Sequence, residues 1–113
     1  MPTRQPTISY EAIRTIAERF TWRDKRTGVR VVGFNPPGGA DAKGVDKIPY
    51  HIKYITIKGV CEQGTVVTLK VFPKLKQRMV MFVGPDGKGG SRQIRRVRDY
   101  LIMEIDGVRV ITH

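Results

Sequence analysis

The sequence predicts an α+β domain that is mostly β, with a short N-terminal helix packed on a small antiparallel sheet or barrel. Three observations carry this. An apolar stripe at three- and four-residue spacing, Ile13, Ile16, Ala17 and Phe20, is confined to the start of the chain. From Thr21 onward the texture changes to short β-branched runs broken by glycine. Those runs are separated by hairpin signals, of which Asp106-Gly107 is the strongest. At 113 residues the chain holds one core, because two would each be too small to stand alone.

Residues 1–8 carry two prolines and no periodicity, so they read as an extended N-terminal arm ahead of a single domain over 9–113. Ser9 is placed to cap a helix of about three turns, with Glu11 near the positive end of its dipole. A lone helix of that length is marginal in water, so it must lie on the sheet. Phe20–Arg23 and Val29–Phe34 flank Asp24-Lys25-Arg26-Thr27-Gly28, a hairpin turn in which Gly28 can take positive φ. Residues 35–49 contain Pro36-Pro37-Gly38-Gly39 and almost no large apolar group, and are expected to form a flexible loop.

For the next hairpin the sequence favours a turn at Glu62-Gln63-Gly64. That register sets Ile57 against Leu69 and Ile55 against Val71, with Tyr54 facing Phe72 and Lys58 facing Thr68 on the reverse side. Pro73 ends the strand, since it cannot donate to a ladder. Arg78–Val83 is a further strand, stopped by the glycine-rich run at 84–90. Residues 91–105 fit two descriptions. Ile94, Val97, Leu101 and Ile105 approach the spacing of a basic amphipathic helix, but Asp106-Gly107 closes a hairpin pairing Ile105 with Val108, Met103 with Val110 and Glu104 with Arg109. The hairpin gives one wholly apolar face and an opposite-charge pair, and it is preferred. Six or seven short strands joined this way suit SH3-like or OB-like barrels, which solve the edge-strand problem.

Composition limits the chemistry. A single cysteine excludes a disulfide framework and a four-cysteine zinc site. His51 and His113 are the only histidines and have no metal-ligand spacing, so neither metal nor cofactor is expected. Cys61 would need His51 as its base, and a small partly buried side chain is the better reading. Asp106 and Glu104 are accounted for by the turn and its charge pair, which leaves no acid–base dyad. The run at 84–90 departs from the phosphate-loop pattern, with Phe82 where the first glycine belongs and Gly89 after Lys88. An enzyme is therefore not expected. Neither a membrane-spanning run nor a signal-peptide core is present, and the chain is expected to be cytoplasmic, or inside a virion if it is an assembly protein.

What stands out is charge. The formal net charge is +11. Lys70, Lys74, Lys76, Arg78, Lys88, Arg92, Arg95, Arg96 and Arg98 face the single acid Asp86 between residues 65 and 98. A second cluster, Trp22, Arg23, Lys25 and Arg26, sets an aromatic ring beside three cations. Basic surface gains salt-dependent affinity for polyanions by releasing counterions, and aromatic rings among cations suit the stacking of single-stranded bases. Trp22, Tyr54, Phe72 and Phe82 are the candidate rings, although each also suits a core. The sequence thus predicts a non-enzymatic nucleic-acid-binding module with weak sequence preference, favouring single-stranded DNA or RNA over duplex. The alternative is a small structural subunit of a phage particle or other nucleoprotein assembly, meeting its neighbours by strand addition. A membrane partner is not expected.

Overall fold

The computed structural model describes residues 7–85 and 87–111. The expected arm over residues 1–8 and His113 thus fall partly or wholly outside the described residues. Within them Thr7–Ser9 is already a strand, β1, paired in parallel with the last one. Ser9 caps as expected, its hydroxyl accepting from Glu11 N–H at 3.3 Å. The expected three-turn helix is shorter: a 3-10 turn, Tyr10–Ala12, runs into α1, Arg14–Ala17. Phe20 belongs instead to the next strand. Ile13 and Ala17 still face the core and are buried, which anchors this short element to the sheet.

Phe20–Arg23 (β2) and Arg30–Gly33 (β3) form the expected hairpin, with Gly28 at φ +71°. The segment expected to be a flexible loop carries backbone bonds from Gly39 to Pro36, Ala42 to Gly39 and Val45 to Ala42. It returns as Asp46–Lys47 (β4) on the other side of β2, giving a three-stranded sheet β3-β2-β4.

The larger sheet begins with Tyr50–Ile55 (β5) and Cys61–Phe72 (β6). Here the expected register is overturned: Ile55 pairs Cys61 and Tyr54 pairs Glu62, so Tyr54 does not meet Phe72. The turn is residues 56–60. Thr56 N–H donates to the Val60 carbonyl and Gly59 adopts φ +83°. Gly64 is not a turn residue but a mid-strand gap, since a Cβ there would lie 2.7 Å from a Phe82 ring carbon. Pro73–Leu75 then turns the chain into Gln77–Phe82 (β7).

Residues 91–105 do not form one amphipathic helix. Ile94–Arg98 (β8), a 3-10 turn at Asp99–Leu101, and Ile102–Ile105 (β9) lead through Asp106-Gly107 into Val108–Ile111 (β10). Ile105 pairs Val108 and Glu104 pairs Arg109, as the turn dictates. The strand order β1-β10-β9-β5-β6-β7-β8 leaves β1 and β8 outermost, so the ladder is an open mixed sheet rather than a closed barrel. Tyr50, Ile52, Tyr54, Val66, Val80, Val97, Ile102 and Ile105 fill its inner face together with Ile13. Burying each such aliphatic side chain stabilises by about 1.5–3 kcal/mol.

Candidate nucleic-acid interface

Strand alternation sorts the basic residues. Along β7, Arg78 and Val80 are buried while Gln77, Met79 and Met81 turn to the other side, as a period of two requires. Register carries this to the neighbours: Met79 lies between Lys70 on β6 and Arg96 on β8, and Gln77 lies between Phe72 and Arg98. Lys70, Phe72, Arg96 and Arg98 therefore share the outer face. Contacts agree with the register. The Arg96 guanidinium stands 4.2 Å and the Lys70 ammonium 5.2 Å from the Phe72 ring centre.

Further cations border this ridge. Lys74 is exposed on the 3-10 turn after β6, and Lys76 holds a left-handed backbone with its ammonium 5.5 Å from the Tyr10 ring centre. Arg98 donates to the Tyr100 hydroxyl at 3.0 Å. Among the described residues, none of Lys70, Lys74, Lys76, Arg96 and Arg98 forms an ion pair.

Arg78 does not belong with them. Its side chain is 2% exposed, and its Nε and Nη2 hold the Asp99 carboxylate at 2.8 and 3.1 Å, with Glu18 3.9 Å away. Burial alone would lower its pKa, but the Asp99 hydrogen bonds and charge, with Tyr50 and Glu18, hold it above the ordinary value. Nη1 has no hydrogen-bond partner. This guanidinium is a structural strut and is closed to phosphate.

Arg95 also departs from the expected group. It lies on the inner side of β8, opposite Val80, with Nε 4.0 Å from Glu62 and Nη2 donating to Gln93 at 3.0 Å. Arg95, Arg96 and Arg98 are thus divided between two faces. Arg92 is exposed at φ +53°, and Lys88 is exposed in the glycine-rich loop, both ahead of β8 in the chain.

The second cluster occupies the smaller sheet. Trp22 lies across Gly33, where a Cβ would come within 2.9 Å of the indole, so the glycine makes room for the ring. One side of Trp22 borders a shallow hollow of about 340 Å³ shared with Arg23, Lys25, Pro37 and Lys43. Arg23 donates to the Gly28 carbonyl at 2.8 Å, and Lys25 and Arg26 are exposed in the turn. Lys43 lies outside the cluster the sequence predicts; its position depends on how the 35–45 segment folds back, which no local pattern encodes.

The remaining rings are inward. Tyr54 is buried and its hydroxyl donates to Glu62 at 3.3 Å; burial and the Glu62 charge push its pKa up to about 12. The Tyr50 hydroxyl pairs with Thr68 at 2.5 Å, and burial raises its pKa. Phe82 packs against the core.

His51 and Cys61 are not brought together, because His51 pairs Thr65 and Cys61 pairs Ile55, roughly 13 Å apart along the strand. No cluster of three metal-ligating side chains occurs among the described residues. No helix among them is long and apolar enough to cross a membrane. Comparison with family models, with curated proteins and with solved structures finds no match.

Proposed function

We propose that this chain is a non-enzymatic nucleic-acid-binding module that holds the phosphate backbone on the outer face of β6, β7 and β8, with weak sequence preference. The observation that supports it is the convergence of Lys70 and Arg96, from two strands, on the Phe72 ring, on a face where the cations have no carboxylate partners among the described residues. Unpaired cations keep their counterions until a polyanion displaces them, and that release is the driving force. A planar guanidinium held against a ring offers its other face to a base, which favours single strands over duplex. The outer face of the sheet would then serve as the binding surface of an OB-like or SH3-like module does. Trp22, Arg23, Lys25 and Arg26 form a second contact on the smaller sheet.

The test is a titration of labelled single-stranded DNA, duplex DNA and RNA across a salt series, comparing wild type with Lys70→Ala/Arg96→Ala/Arg98→Ala. We expect affinity to fall steeply with salt and the triple variant to lose roughly 0.7 of logarithmic slope per phosphate contact removed. An affinity unchanged between low and physiological salt refutes the reading, as does a triple variant that binds like wild type. A second reading, an assembly subunit of a phage particle or nucleoprotein complex, draws support from the two open edges at β1 and β8. Light scattering separates the two: a stable oligomer without polyanion favours assembly.

A further inference from the structure

Edge strands expose a row of backbone donors and acceptors, and β8 is one such edge. Toward β7, the Gln93 carbonyl accepts from Phe82 N–H and Asp99 N–H donates to the Lys76 carbonyl, both at 2.9 Å. Antiparallel bonds recur at every second residue, so Arg95 and Val97 also face β7, while Ile94, Arg96 and Arg98 turn their backbone groups to the open side. Arg95 Nη1 takes the Ile94 carbonyl at 3.1 Å. Both backbone groups of Arg96 and the N–H of Arg98 are left directed outward.

Alongside this edge runs a groove of about 500 Å³ between β8 and the β5–β6 turn. Tyr54, Val97 and Leu101 give it an apolar floor, and Ile57 and Val60 stand 75% and 56% exposed at its rim. Lys58, Arg95, Arg96 and Arg98 surround it, against the single acid Glu62, which Arg95 already faces.

We propose that the β8 edge and this groove are the docking site for an extended acidic segment of a partner protein, added as an eighth, antiparallel strand. A strand seated beside β8 alternates its side chains as β8 does. Those level with Val97 point to the groove floor and are apolar; those level with Arg96 and Arg98 point to the outer face and are carboxylates. Charge selects this occupant. Self-pairing of two β8 edges sets arginines against arginines, and β1, the other outer strand, reads Thr-Ile-Ser without an acid. A nucleic acid can reach the two arginines from the outer face but has no regular amide ladder to answer the edge.

The experiment titrates the full chain with a synthetic peptide of about eight residues alternating glutamate and valine, followed by calorimetry and by hydrogen exchange at the Arg96 and Arg98 amides. In antiparallel addition the glutamates stand in the hydrogen-bonded pairs with Arg96 and Arg98. N-methylating the glutamates should therefore weaken binding by about tenfold or more, whereas N-methylating the valines leaves it nearly unchanged. Slowed exchange at both amides and several-fold weaker binding by Ile57→Ser/Val60→Ser complete the expected result. Absence of saturable binding overturns the proposal, and so does equal binding by the two methylated peptides. Protection of the Arg96 amide that grows with protein concentration alone replaces the peptide with a second copy and also overturns it. The groove variant should keep its affinity for single-stranded DNA, so failure of the peptide site and failure of the nucleic-acid reading are separable.

Discussion

Arg78 and Arg96 stand on adjacent strands, one residue out of step: Arg78 lies opposite Val97 and Arg96 opposite Met79. That single step puts them on opposite sides of the sheet. Arg78 is enclosed with Asp99 as its fork-shaped partner, while Arg96 is exposed on an aromatic ring with no acid. The same side chain thus does two unlike jobs. Inside, desolvation is severe and a carboxylate from the turn after β8 must answer it. Outside, water already solvates the charge and leaving it unpaired costs little. Cation count therefore says less about polyanion binding than strand parity does.

The largest expected effect tests the inner half of this contrast. Arg78→Ala leaves Asp99 without its partner and should lose about 3–5 kcal/mol in urea unfolding, whereas Arg78→Met with Asp99→Leu recovers most of it. A loss below about 1 kcal/mol, with weakened nucleic-acid binding instead, would reverse the assignment of faces. Gly64→Ala comes next. It drives a methyl into the Phe82 ring and should cost about 1–3 kcal/mol, read in the same unfolding experiment.

On the outer half, Arg96→Ala should leave stability within about 0.5 kcal/mol and lower the salt slope of nucleic-acid binding by roughly 0.7–0.9. Arg95→Ala, one residue away but on the other face, should change that slope distinctly less. Equal effects from the two would dissolve the distinction. The remaining prediction concerns Tyr54, whose pKa rises from 10.0 to about 12 on folding. The native state keeps its phenol proton longer than the unfolded chain does. Its contribution is complete below pH 10 and is lost as pH climbs toward about 12. Melting temperature should fall through that interval, and less steeply in Tyr54→Phe.

The parts of this arrangement that local turn chemistry determines could be read from the chain. Asp106-Gly107 fixed its own hairpin and so decided against one continuous helix over residues 91–105, and Gly28 fixed the turn between β2 and β3. The β5–β6 register was not readable, because two glycines competed. Gly64 offered sensible pairs on both faces, and only the Phe82 ring from a later strand shows why it sits mid-strand. Gly59 held the true turn, supported by Thr56, whose hydroxyl accepts from Val60 N–H at 3.1 Å. The candidate site suffered similarly. Methionines at 79 and 81 are as apolar as their neighbours, so nothing local told which set faces inward. Asp99, the partner that makes a buried Arg78 possible, is twenty-one residues away in the chain.

The parallel rungs between Thr7–Ser9 and Arg109–Ile111 join the two ends of the described chain side by side, running in the same direction. A tensile force applied across those ends meets the rungs in shear, so they must rupture together instead of peeling singly. Whatever draws on the termini, the β1–β10 clasp takes the strain first, and the basic ridge on the far side of the sheet keeps its shape until it gives way.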